Sequence, residues 1–190
     1  DDKTGMQTNQ AGKFLLGYRQ QDLYIGFTYQ RPTGGGAPKM QFDQPGWSET
    51  PLWVKDDNVE FWLAPLIQDV RMSGMMSPGY CIAANAAGAY SHDATGRDRT
   101  EIPRDIEYVP YVKGEFWQGE MRFPWHVVDN MLVSQKKSAP ADGVKWKGVL
   151  IFHQRTPFHS LFGAQHAYDA FPTLEFSERP IGFEASDLKL

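Results

Sequence analysis

The sequence predicts an all-β protein: an antiparallel two-sheet β-sandwich with one short helix and two long loops. Three observations carry this. Apolar residues recur at every second position along most of the chain, the runs are short and separated by turn chemistry, and only one stretch has a helical pattern. At 190 residues the chain fits a single domain spanning 1–190, long enough to bury a real core.

The elements follow in order. Phe14, Leu16 and Tyr18 alternate, and so do Leu23, Ile25, Phe27 and Tyr29. The Gln20-Gln21-Asp22 turn between the two runs predicts a hairpin. Further strands are expected at Val59–Ala64, Tyr80–Asn85, Ile106–Val112, Glu115–Phe123, Lys147–His153 and Thr173–Ser177. Lys113-Gly114, between two of them, reads as a tight turn. The helix is expected after Phe123. Pro124 suits a first helical turn, where its missing N–H is not needed, and Trp125 to Leu132 offers a short apolar face on the rim of the sandwich.

Two connections are long for a compact domain. Arg31 to Asn58 holds Gly34-Gly35-Gly36, Pro38, Pro45-Gly46 and Pro51, and carries Trp47 and Trp53. Arg155 to Pro172 holds Phe158, His159, Phe162, His166, Tyr168 and Phe171. Loops beyond about 12–15 residues are usually functional or disordered. Disordered segments are poor in aromatics and these are rich in them, which predicts structured loops that carry or cover a site.

Composition narrows the function classes. A formal net charge of -4 with no basic run argues against a nucleic-acid partner. No apolar run is long enough to span a bilayer. The lone Cys81 cannot form an internal disulfide, and its apolar strand predicts a small buried thiol. The chain starts at Asp1 without a methionine, which fits a processed secretory protein or a recombinant start. There is no nucleophile elbow, zinc helix, P-loop or dinucleotide fingerprint.

The candidate chemistry lies in constellations. In Asp56-Asp57-Asn58-Val59-Glu60-Phe61-Trp62-Leu63, alternation puts Val59, Phe61 and Leu63 on one face and leaves Glu60 beside Trp62 on the other. A carboxylate beside an indole suits sugar binding, since the ring covers C–H surface while the carboxylate accepts hydroxyl hydrogen bonds. Glu60 and Glu120, each with an aromatic nearby (Trp62, Trp117), form a candidate acid/base pair for glycoside hydrolysis. His153, His159 and His166, with Arg155 among them, gather near one loop as candidate metal ligands. Met72, Met75 and Met76 offer thioethers, and a Met–His pair can ligate haem. Asp56 and Asp57, with Asp43 and Glu49, offer oxygen ligands for Ca²⁺, or turn chemistry ahead of a strand.

Five ordered segments resemble the carbohydrate-binding module family 9-like domains of the wider DOMON superfamily. They are Lys13–Phe27 with Leu23-Tyr24-Ile25, and Trp53–Pro65, like "W-x-x-D-D-x-V-E-[IV]-[FW]-[LI]-x-P". Then come Tyr80–Gly88 with Asp93, and Trp117–Trp125, like "W-x-x-E-[MA]-x-[IF]-P-W". Last is Gly143-x-x-Trp146 followed by Arg155 and the closing Phe171–Phe176. The family's opening "D-G-x…W" segment has no counterpart. Where the family has an arginine, two residues before Asn85, this chain has Ala83, which lacks the fixed donor fork of a guanidinium.

The resemblance implies a jelly-roll-like sandwich, often calcium-stabilised, that grips sugar ends between two aromatic rings. It implies an extracellular, periplasmic or cell-surface setting, beside other domains of a glycan-degrading parent protein. A sugar would stack on Trp53 or Trp47 opposite Phe158, Phe162 or Tyr168, with Glu60, Asn85 and Arg155 exchanging hydroxyl hydrogen bonds. The metal would fall at Asp56 and Asp57. The expected function is a non-catalytic carbohydrate-binding domain. The alternatives are a haem b-binding electron-transfer domain, a glycosidase using Glu60 and Glu120, and a purely structural sandwich.

Overall fold

A computed structural model describes residues 12–20, 22–31, 36–65, 80–94, 105–126, 139–153, 158–160 and 173–177. Eleven strands occur among them: β1 (Gly12–Arg19), β2 (Asp22–Gln30), β3 (Gly46–Trp47), β4 (Asn58–Pro65), β5 (Tyr80–Asn85), β6 (Ala89–Ala94), β7 (Glu107–Lys113), β8 (Phe116–Pro124), β9 (Lys145–His153), β10 (Phe158–Ser160) and β11 (Thr173–Glu175). They form a four-stranded sheet in the order β1-β2-β8-β7 and a seven-stranded sheet in the order β10-β9-β4-β5-β6-β3. β11 also pairs with β9. β10 pairs with Ile151–His153 and β11 with Lys145–Lys147 of β9, so the two short strands divide its length.

The predicted hairpins form as expected. β1 and β2 pair from Gly12↔Tyr29 to Arg19↔Asp22, and Gln20 accepts a positive φ of 57° to make the turn. β7 and β8 close at Lys113↔Phe116, with Gly114 at φ 58°. A glycine there avoids the Cβ penalty of the left-handed region. Pro110 lies in β7, the edge of its sheet, where a missing N–H costs no ladder bond.

Alternation builds the core. Leu23, Ile25, Phe27 and Tyr29 of β2 meet Val59, Phe61 and Leu63 of β4 and Leu150 and Phe152 of β9 in one buried cluster. The Phe27 ring lies 5.7–5.8 Å from those of Phe61, Trp117 and Phe152, and Tyr29 stacks on Phe152 at 3.9 Å. Gly119 makes this possible: a Cβ there would stand 2.5 Å from Phe27. Trp146, with Phe176 at 4.9 Å and Trp125 at 5.3 Å, forms a second aromatic group in the same core.

Several expectations are corrected. The sheets are not wholly antiparallel, because β3 pairs with β6 in parallel. β3, β6 and β10 were not expected as strands. β6 reads Ala-Tyr-Ser-His-Asp-Ala, and only its central pairing reveals it. Pro124 ends β8 opposite Asp22 rather than opening a helix; Trp125 and His126 are helical, and the rest of the expected helix lies outside the described residues. The first long connection holds β3 and a 3-10 turn at Leu52–Val54. The second holds β10, and its remainder lies outside the described residues.

Candidate functional site

The residues singled out on β4 lie on the outer face of the seven-stranded sheet. Asn58, Glu60 and Trp62 pair with Asn85, Ala83 and Cys81 of β5 on one side, and with His153, Ile151 and Val149 of β9 on the other. Directly opposed residues share a face, so the register assembles a small lattice: a polar row of His153, Asn58 and Asn85, then rows centred on Glu60 and Trp62. Trp62, Cys81, Val149 and Ile151 pack together as an apolar cluster separate from the main core.

Glu60 is only 1% exposed, although it faces away from the core. Its Oε2 accepts a hydrogen bond from Trp62 Nε1 at 2.9 Å, and its Oε1 lies 3.6 Å from His153 Nδ1. Asn58 Nδ2 donates to the Asp56 carbonyl at 2.9 Å and approaches the same His153 nitrogen at 3.4 Å. Burial lowers the His153 pKa to about 4, so the ring is neutral at physiological pH.

Asp56 and Asn85 form the other half of the cluster. Asp56 Oδ1 accepts from the Gln41 N–H at 2.9 Å, and Oδ2 accepts from Phe42 N–H at 3.3 Å and Asn85 Nδ2 at 2.8 Å. Asn85 Nδ2 also donates to the Phe42 carbonyl at 2.7 Å, and its Oδ1 accepts from Ala87 and Ala89 N–H at 3.0 Å. All four hydrogen-bonding positions of that amide are therefore occupied by protein. Asp57 Oδ2 accepts from Lys39 N–H at 2.8 Å, and its own N–H donates to Lys39 O at 2.7 Å. These groups bind segment 39–42 to the sheet.

That arrangement does not fit calcium. A cation needs carboxylate oxygens turned toward it, whereas the Asp56 oxygens and Asp57 Oδ2 face N–H donors. Asp43 and Glu49 are exposed. No group of three or more metal-ligating side chains occurs among the described residues.

The two loop tryptophans part company. Trp53 sits in the 3-10 turn, half-buried with Phe42 against Leu52, Ala83 and Ala89 on the outer face. Leu52 is 0% exposed, and its N–H donates to Ser91 Oγ at 3.1 Å. Small side chains at 83, 89 and 91 let the turn lie directly on the sheet. Trp47, in β3, packs instead against the main core, with its ring 6.1 Å from Tyr90. Trp53 and Trp47 therefore do not face one site.

The Glu60–Glu120 pair is ruled out by position. Glu120 is exposed on the four-stranded sheet, opposite Gly26 and Val109, while its supposed neighbour Trp117 points into the core. The two carboxylates lie on opposite outer faces, with the core between sheets that pack about 10 Å apart. Arg155, Phe162, Tyr168, His166 and the Met72, Met75 and Met76 group lie outside the described residues, and His159 is placed only as a β10 residue paired with Phe152. Sequence reasoning missed Asn58 as a neighbour of His153 and grouped His153 with the loop histidines. The signal was parity: Asn58, Glu60 and Trp62 share one alternation, as do Val149, Ile151 and His153.

Taken together, two sheets, an aromatic core and an outer-face cluster define a β-sandwich module. Its fold is that of carbohydrate-binding module family 9. A module of this family from Caldicellulosiruptor kristjanssonii in complex with glucose matches at a TM-score of 0.61 with 13% identity, covering 94% of this chain and 83% of that one. A second structure, of a family 9 module from the same organism in complex with cellotriose, matches at 0.58 and 14%, covering 92% and 79%. No family model matches the sequence, and no curated protein does.

Proposed function

We propose that this chain is a non-catalytic carbohydrate-binding domain, carried by an exported protein that degrades glycans. The observation that supports it most is the match over nearly the whole chain to two sandwiches whose structures hold glucose and cellotriose. The half-buried Trp53 on the outer face of the seven-stranded sheet offers the kind of ring on which a pyranose stacks. Such a site works by apolar contact with C–H surface and buries little area, so modest affinity is expected.

Isothermal titration of the purified domain with glucose and cellotriose tests the reading. Heat with at least one sugar is expected, and its loss in Trp53→Ala at an unchanged melting temperature. No heat with any mono- or oligosaccharide would overturn the proposal. The exported, glycan-degrading context predicts a glycoside-cleaving domain in the same parent protein, and a parent with only redox or cytoplasmic domains would contradict it.

A further inference from the structure

We infer that the outer face of the four-stranded sheet carries a second, weaker binding trough, floored by Gly17 and Gly26, and that its ligand is a neutral glycan chain. This rests on the carbohydrate-binding reading above and adds a site on the opposite side of the sandwich.

Glycine inside a strand weakens it, and the usual reasons for one are a bulge, a special backbone angle, tight packing or the close approach of a ligand. The first three fail here. The β1–β2 and β2–β8 registers run without interruption, and neither glycine takes a positive φ. A Cβ at Gly17 would meet nothing within 4 Å, and one at Gly26 only the Leu15 Cβ at 3.8 Å. Tyr24, directly opposite Gly17, does not fold its ring over either position, and it is 40% exposed. What remains is space for a ligand to lie against the backbone.

The surroundings say which ligand. Gly17 opposes Tyr24 and Leu15 opposes Gly26, so the two open positions lie diagonally between a ring and an aliphatic side chain. On the next strand Arg122 opposes Tyr24 and Glu120 opposes Gly26. Arg122 is held by Asp22 at 2.9 Å and Glu107 at 2.8 Å, while Glu120 is exposed. A ring, a bare floor, an acceptor and a fixed donor match the C–H surface and hydroxyls of a pyranose. The cleft measures about 1040 Å³ and continues over β1 to β11, which gives room for several rings. Its charged lining is Glu107, Glu120, Arg122 and Glu175, the last paired with Lys145 at 3.1 Å. That acidic balance repels uronates and favours a neutral glycan. A single exposed ring supports a Kd of only about 1–10 mM, too weak to give heat in the titration that defines the Trp53 face.

The test follows the glycine amide resonances in Trp53→Ala, which silences the other face. Titration with cellotriose to about 50 mM should move the Gly17 and Gly26 signals, half-saturating at about 1–10 mM. Trigalacturonate, an acidic trisaccharide, should move neither. Gly17→Val fills the trough and should abolish the Gly26 movement at an unchanged melting temperature. Tyr24→Ala should weaken it by about fivefold or more. Unmoved signals with cellotriose, equal movement with trigalacturonate, or movement that survives both substitutions would overturn the trough. In each of those cases heat from the intact chain keeps the carbohydrate reading, whereas no heat and no moving signal with any sugar removes both.

Discussion

Asn85 Nδ2 donates to Asp56 Oδ2 at 2.8 Å, joining the end of β5 to the segment just ahead of β4. The pair works as a clamp. Asp56 takes the backbone N–H groups of Gln41 and Phe42, and Asn85 takes the Phe42 carbonyl and the N–H groups of Ala87 and Ala89. Neither strand pairing nor the core supplies these contacts. Asn85→Asp should be harsher than its size implies, because it sets a second carboxylate against Asp56 and removes both donors. A loss of about 2–4 kcal/mol is expected, measured by denaturant unfolding at neutral pH. A neutral outcome would mean the clamp contributes little.

Trp62 supplies the indole donor to a buried carboxylate. Trp62→Phe keeps a ring in the apolar cluster with Cys81, Val149 and Ile151 but removes the N–H that reaches Glu60 Oε2. A cost of about 1–3 kcal/mol is expected by chemical denaturation. Combining it with Glu60→Gln should be less than additive, since both changes act on one bond.

Gly119 is a packing requirement rather than a turn. A Cβ there would stand 2.5 and 2.7 Å from the Phe27 ring and 2.9 Å from that of Tyr108. Phe27 is held by Phe61, Trp117 and Phe152 and has little room to yield. Gly119→Ala should destabilise by about 1–3 kcal/mol. An exposed glycine with nothing nearby, such as Gly17, should tolerate the same change within about 0.5 kcal/mol.

The pH dependence follows from His153. Its pKa is lowered by burial from 6.5 to about 4 in the folded state. Between those values the unfolded chain binds a proton that the folded chain excludes, so stability falls as pH drops through this window and is unaffected by this group above it. Melting temperature should decline from about pH 6.5 toward pH 4. The slope should flatten in His153→Gln, which has no proton to gain. An equal decline in that variant would assign the effect to other groups.

Much of the sandwich was legible in the chain. Strands β1, β2, β4, β5, β7, β8 and β9 each have apolar side chains at alternate positions, and the turns at Gln20 and Gly114 separate them. β3 and β6 were not legible. Two residues of β3 have no period to detect, and β6 sets Tyr90, a core residue, within a run of small and polar residues. The strand character of β6 comes from the ladder with β5, and that of β3 from its pairing with β6.

The candidate site divides in the same way. By itself, the sequence determined that Glu60 and Trp62 share a face opposite Val59, Phe61 and Leu63, because side-chain period in a strand is a local property. It also placed an alanine at 83, where the family it resembles has an arginine. Only the tertiary structure decided that Glu60 is buried beside His153, that Asn85 and Asp56 bind each other, and that Glu120 lies across the core. It likewise sent Trp53 and Trp47 to different sides of one sheet. Each depends on which strands become neighbours and in what register, and pairings between residues as distant as Asn58 and His153 leave no mark on the local pattern of either.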